Sequence, residues 1–160
     1  MDIMVREAAV SEAGLIAELT RAAWADKVAE SSTGHQETAE RVQEDLRDGG
    51  GFILLADNCP VGSVRWMPLE TEPDIVEIGR MGVVPHYRGA NLSQHLLEAV
   101  IHHALQSEVK ELRLAVRSDQ PRLLDFYAAF GFDIAPELEY SHANPLEPAP
   151  TVMRRHLKDS

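Results

Sequence analysis

The chain has 160 residues, the size of one ordinary domain, and its 44% hydrophobic and 26% charged residues fit a soluble globular protein. Its 26 acidic side chains against 15 basic ones give a formal net charge of −11, which argues against nucleic acid or an anionic membrane surface as a partner. A single cysteine, Cys59, excludes an internal disulfide and a cysteine-cluster metal site.

The elements follow in chain order. Ile3 to Arg6 has a strand pattern. No basic segment leads into an apolar run, so the start does not read as a signal peptide. No apolar stretch approaches the roughly 20 residues of a membrane span. Both points predict a cytoplasmic protein. Ser11 to Trp24 reads as a helix capped by Ser11, with Leu15, Ile16, Leu19 and Ala23 on one face. Ser31 to Gly34 is expected as a loop, and His35 to Arg47 as a second helix stopped by Gly49-Gly50-Gly51. Phe52 to Ala56 and Val61 to Met67 form a predicted hairpin around Asp57-Asn58-Cys59-Pro60. Ile75 to Val84 is the next strand, ended by Pro85.

Asn91 to Gln106 carries the clearest helical stripe: Leu92, Leu96, Leu97, Ile101, Ala104 and Leu105. Leu112, Leu114 and Val116 alternate with Arg113, Ala115 and Arg117, as in a strand. Pro121 to Phe130 is a short helix with Gly131 after it. Phe132 to Tyr140 and Thr151 to Leu157 are two closing strands joined by a Pro-rich loop, Asn144 to Pro150. The order β-α-α-β-β-β-α-β-α-β-β predicts an α/β (α+β) fold on a mixed sheet.

The stretch with most chemistry is Val83-Val84-Pro85-His86-Tyr87-Arg88-Gly89-Ala90-Asn91-Leu92-Ser93. It joins a strand to the start of the longest helix through residues that are small or tolerate positive φ. Such a turn presents several backbone N–H groups together, and the helix dipole adds to their pull on an anion. Arg88 brings a full positive charge. A diphosphate fits this site, although a plain strand-to-helix turn with an exposed arginine reads equally well.

Arg88-Gly89-Ala90-Asn91-Leu92-Ser93 resembles the acyl-CoA pyrophosphate loop of the GNAT N-acetyltransferases, with Asn91 and Ser93 at positions where that loop has Gly and Gly or Ala. Glu77-Ile78-Gly79-Arg80-Met81-Gly82-Val83 resembles the family's fourth strand. Leu124-Asp125-Phe126-Tyr127-Ala128-Ala129-Phe130-Gly131-Phe132 resembles its helix-end motif, and Thr151-Val152-Met153-Arg154-Arg155 its last strand. The resemblance implies one domain over residues 1–160. It also implies a central mixed, mostly antiparallel sheet of about seven strands with about four helices, split by a splayed-strand acyl-CoA cleft.

The resemblance further implies roles. Arg88, Gly89, Ala90, Asn91, Leu92 and Ser93 would hold the pyrophosphate of acetyl-CoA, and the backbone of Met81 and Val83 its pantetheine arm. Gln120 stands where many members have an Asn that contacts the cofactor. Tyr127 would lie near the cofactor sulfur as general acid to the leaving thiolate. Its phenol, ordinarily near pKa ~10, is protonated at neutral pH. Outside that frame Tyr127 reads as a core aromatic. Glu77 is a candidate base for the attacking amine, or a polar residue near a strand start. By strict alternation Glu77 shares a face with Gly79, Met81 and Val83.

The histidines show no metal-binding spacing, and His102, His103 and His95 are expected to face solvent, so no metal is predicted. Trp24, Trp66 and Met67 are expected in the core, with an acceptor pocket as the other reading. The predicted activity is acetyl transfer from acetyl-CoA to a primary amine, whether a small amine, an amino-acid-like one or an amine of a peptide or protein, with a weakly active acyl-CoA-binding or regulatory module as the rival. A homodimer is compatible with the family. Acids concentrate in Asp26 to Asp48 (seven, against three bases), Glu70 to Gly79 (four) and Asp133 to Glu147 (four), away from the cofactor half. That distribution tilts the expected acceptor toward a cationic amine.

Overall fold

A computed structural model describes residues 1–25, 36–89, 91–140 and 145–157. The expected loop Ser31 to Gly34, the helix start His35, and Asn144 lie outside the described residues.

β1 (Ile3–Glu7) runs through a 3-10 turn into α1 (Ala13–Trp24). Ser11 is not the cap. The Glu12 carboxylate takes two bonds from the Arg6 guanidinium, at 2.8 and 2.7 Å, and one from the Ala9 N–H at 3.0 Å. Those bonds, Arg6 first, hold its pKa down to about 2. α2 (Ala39–Asp48) begins later than expected because Thr38 caps it, its hydroxyl accepting from the Arg41 N–H at 3.2 Å. Gly50 and Gly51 do not serve as helix stops but open β2 (Gly50–Ala56). A Cβ at position 50 would lie 2.3 Å from the Trp66 indole.

Asp57 (φ 50°) and Asn58 (φ 67°) make a two-residue, left-handed hairpin turn, so Cys59 and Pro60 belong to β3 (Cys59–Pro68). β4 (Ile75–Val83), α3 (Ser93–Leu105), β5 (Glu111–Val116), α4 (Leu123–Ala128), β6 (Asp133–Ile134) and β7 (Thr151–His156) follow. β6 is far shorter than the expected strand. Pro136 has no N–H for the ladder, and the chain turns at once, with Leu138 N–H bonding Ala135 O at 3.1 Å.

The seven strands form one mixed sheet in the order β1-β2-β3-β4-β5-β7-β6. Only β4 and β5 pair in parallel. α3 covers one face, where Leu96, Leu97 and Val100 meet Leu54, Val64, Val76, Ile78 and Leu112. α1 and α2 cover the other, where Ile16, Val42 and Leu46 meet Ile53 and Leu55. β2 is therefore apolar on both sides, which explains its unbroken hydrophobic run. No helix among the described residues is long and apolar enough to cross a membrane.

Two local features shape the site. The first is a bulge in β4. Ser63 pairs with Gly82 but Arg65 with Gly79, so Arg80 and Met81 of β4 stand opposite Val64 alone. Arg80 takes up the extra residue at φ 55°. The extra residue reverses the in–out alternation beyond it. Val76, Ile78 and Val83 all reach the α3-side core, with Met81 packed against it. Gly82 instead faces α1, where a Cβ would lie 2.7 Å from Trp24. The expectation that Glu77 shares a face with Met81 and Val83 is corrected accordingly.

The second is the end of α4. Gly131 (φ 86°) sends its N–H to Ala128 O at 3.0 Å, and Phe132 sends its own to Tyr127 O at 3.2 Å. This is a Schellman cap, completed by Tyr127 against Phe132 with ring centroids 6.1 Å apart. The Tyr-x-x-x-Gly-Phe spacing is thus a helix stop that fixes the tyrosine.

Candidate active site

β4 and β5 pair only from Ile75↔Glu111 to Glu77↔Arg113. Beyond that point they diverge, and a cleft of about 880 Å³ opens between Ile78–Val83 and Leu114–Val116. Val84 N–H donates to Val61 O at 2.8 Å, toward β3. By alternation the main chain of Val83 and Met81 turns the other way, into the gap.

Met81, Val83, Arg88, Gly89, Asn91, Leu92, Ser93, Gln120 and Tyr127 all line this one cleft. Ala90 lies outside the described residues. The loop reaches α3 through two left-handed residues, Gly89 (φ 87°) and Asn91 (φ 55°). Among the described residues no side chain caps the start of α3, whose N-cap residue is Leu92. Its first N–H groups and the positive end of its dipole therefore open on the cleft.

Arg88 is turned inward. Its Nε donates to Val83 O at 3.2 Å and a terminal nitrogen donates to Ala23 O. As placed, the guanidinium ties the loop to the end of β4 and to the C-terminal turn of α1. Gln120 is buried to 8% exposure, and its side-chain amide makes no hydrogen bond with the described residues. It is a buried polar group on the cleft wall, suited to an amide or carbonyl of a guest.

Tyr127 packs against Phe126 (centroids 5.1 Å apart) and faces the cleft. Burial pushes its hydroxyl up to about 12. It stays protonated over the whole neutral range and can give, not take, a proton.

Glu77 does not line this cleft. It is buried at 8% exposure in a second pocket of about 320 Å³ under α2. The two cavities meet at Ile78, Gly79, Arg80 and Tyr140, which line both. The pocket holds an ion network. Buried Arg65 pairs with buried Glu37 and, at 2.8 Å, with Asp45, while Arg80 reaches Glu37 at 3.3 Å. Arg80 also lies 5.9 Å above the Trp24 ring. Burial, followed by the Glu77 charge, raises the Tyr140 hydroxyl pKa.

Sequence reasoning did not single out Tyr140, Arg80 or Glu37. A hint of where Tyr140 goes was present in Pro136, which cuts β6 short. Arg80 carried no signal, since a bulge is not written in hydropathy. Trp24, Trp66 and Met67 do line cavity walls, and Trp66 is also a core residue, its ring tilted against His103 with centroids 4.8 Å apart. His103 is therefore tucked against the sheet, not turned to solvent. No cluster of His, Cys, Asp or Glu able to hold a metal ion occurs among the described residues.

Comparison with known proteins frames this geometry. The chain is 28% identical over 116 residues to a mycothiol acetyltransferase of Kytococcus sedentarius, matching 71% of this chain and 39% of that protein. It is 25% identical over 114 residues to its counterpart from Streptomyces griseus, matching 71% of this chain and 37% of that protein. The match thus spans under two fifths of those curated relatives. The PaiA N-acetyltransferase of Thermoplasma acidophilum, solved with coenzyme A, superposes with a TM-score of 0.77 at 17% identity over 98% of this chain and 99% of that one. The ribosomal-protein-S18-alanine N-acetyltransferase of Escherichia coli gives 0.73 at 15% identity, over 99% and 96%. Residues 16–132 match the pattern of the Acetyltransferase (GNAT) family. The chain belongs to the GNAT acetyltransferase family.

Proposed function

We propose that the protein transfers an acetyl group from acetyl-CoA to a primary amine by direct attack. The observation that carries this reading is that a helix start without a side-chain cap, two left-handed loop residues and a protonated, cleft-facing tyrosine all line one gap between diverging strands. That gap offers N–H groups for a diphosphate at one end, strand amides along its length and a proton donor within it.

In this reading the backbone from Gly89 to Ser93 binds the pyrophosphate. Main-chain groups of Met81 and Val83 bind the pantetheine, and Gln120 takes one of its amides. Arg88 braces the loop. The amine arrives from the smaller pocket, where Glu77 accepts its proton directly or through water. The amine nitrogen bonds to the acetyl carbon, the carbon–sulfur bond breaks, and Tyr127 protonates the departing thiolate. Holding amine and thioester together supplies much of the rate.

The rival reading, a CoA-binding module without turnover, is motivated by Asn91 and Ser93. Isothermal titration with acetyl-CoA, followed by thiol release against a panel of amines, separates the two. Binding plus turnover supports the enzyme, binding without turnover supports the module, and absence of binding removes both.

A further inference from the structure

The overall charge of −11 does not extend into the smaller pocket. Its lining holds three carboxylates, Glu37, Asp45 and Glu77, and three guanidiniums, Arg41, Arg65 and Arg80. Four of these groups form a neutral quartet. Arg65 bridges Glu37 and Asp45, and Arg80 shares Glu37. Arg41 and Glu77 add one charge of each sign. Arg41 is exposed on the first turn of α2 and its side chain makes no ion pair with the described residues. Glu77 is buried on β4, next to the junction with the cleft.

A guest of one charge would leave such a pocket unbalanced, which is costly where groups are partly desolvated. A guest with both signs keeps it neutral. At about 320 Å³ the pocket also sits at the small-molecule end of binding sites.

We propose that the acceptor is a small zwitterion, an amine that also carries a carboxylate, with the carboxylate on Arg41 and the amine beside Glu77 and Tyr140. The orientation follows from the chemistry. The amine must meet the thioester where pocket and cleft join, and Tyr140 lines both there. The carboxylate then points to the outer rim, where Arg41 offers a planar, two-pronged donor. This replaces the simple preference for a cationic amine expected from the acid-rich segments. It rests on the acetyl-transfer reading above.

The test uses sets of matched acceptors: α-amino acids, their α-amides and the corresponding decarboxylated amines, each with acetyl-CoA in a thiol-release assay. The expected result is a kcat/KM for the preferred amino acid about tenfold or more above its amide and its amine, the usual scale of one charge-assisted contact. Arg41→Gln should erase most of that ratio by raising KM for the acid, with kcat held and the amine unmoved. Arg41→Lys should restore part of it. Amides or amines turned over as well as the acid, or an Arg41→Gln effect equal on all three, would overturn the proposal and leave acetyl transfer standing. Binding of acetyl-CoA with no thiol release from any acceptor would overturn the transfer reading itself.

Discussion

The large cleft and the small pocket share the Ile78–Arg80 stretch of β4 and are assembled in different ways. Most of the cleft comes from three short stretches, residues 78–93, 114–127 and 146–150. Its key conformations are set by neighbours in sequence: Gly89 and Asn91 at positive φ, and the Schellman cap from Tyr127 to Phe132. The pocket gathers side chains from α2, β3, β4 and the segment after β6. Its central ion pair, Arg65 with Glu37, joins residues 28 apart. A site made of local backbone geometry leaves a readable trace in sequence, and one made of distant side chains does not. That contrast predicts which substitutions damage which half.

The largest effect belongs to the cleft. Tyr127→Phe keeps the ring against Phe126 and Phe132 and removes only the hydroxyl. Turnover should fall by about 10²- to 10⁴-fold, the range of general acid catalysis, while the dissociation constant of acetyl-CoA stays within a factor of two or so. The pH profile gives a second reading. In the proposed mechanism the protonated phenol is the working form, and burial raises its pKa to about 12. Activity should therefore persist as pH rises through the ordinary phenol value of about 10. A Tyr127→Phe enzyme with full turnover would remove the hydroxyl from the reaction.

Next in size is a break in the pocket. Arg65→Met leaves the Glu37 and Asp45 carboxylates under α2 without the guanidinium that bridges them, while Arg80 stays paired with Glu37. Loss of one member of a buried ion pair typically costs about 3–5 kcal/mol. Denaturant unfolding should show a loss of that order. At temperatures where the variant stays folded, KM for the acceptor should rise while acetyl-CoA binding is little changed. A variant whose acetyl-CoA affinity falls as much as its acceptor affinity would show that the two halves are not separately built.

The same contrast accounts for what was readable beforehand. The order of elements along the chain follows from hydropathy period and turn residues, and the family resemblance points to Arg88, Gly89, Asn91, Gln120 and Tyr127, which line one cleft. The face of Glu77 was not readable, because one inserted residue at Arg80 reverses the alternation from there on. Tyr140 was not, because Pro136 ends β6 and lets the chain turn back over Gly79, where the Tyr140 hydroxyl lies 3.7 Å from a Cβ position. Glu37 was counted only as one acid of a charged run, since nothing in a linear sequence marks its pairing with Arg65.

The smallest effect sharpens the local side of the comparison. Asn91 holds φ 55°, a conformation asparagine tolerates and glycine adopts without strain. Asn91→Gly relieves that strain in the folded state but frees the unfolded chain, and these terms oppose each other at about 0.5–1 kcal/mol each. Net stability should therefore change by no more than about 0.5 kcal/mol. The affinity for CoA is a separate matter. With no side chain beside the start of α3, a phosphate can approach the N–H groups more closely, and binding should tighten by a factor of about two to five, roughly one weak hydrogen bond. Titration calorimetry with CoA measures this directly. Weaker binding in Asn91→Gly would mean that the amide side chain itself touches the phosphates, so that side-chain identity as well as backbone shape sets affinity in the loop.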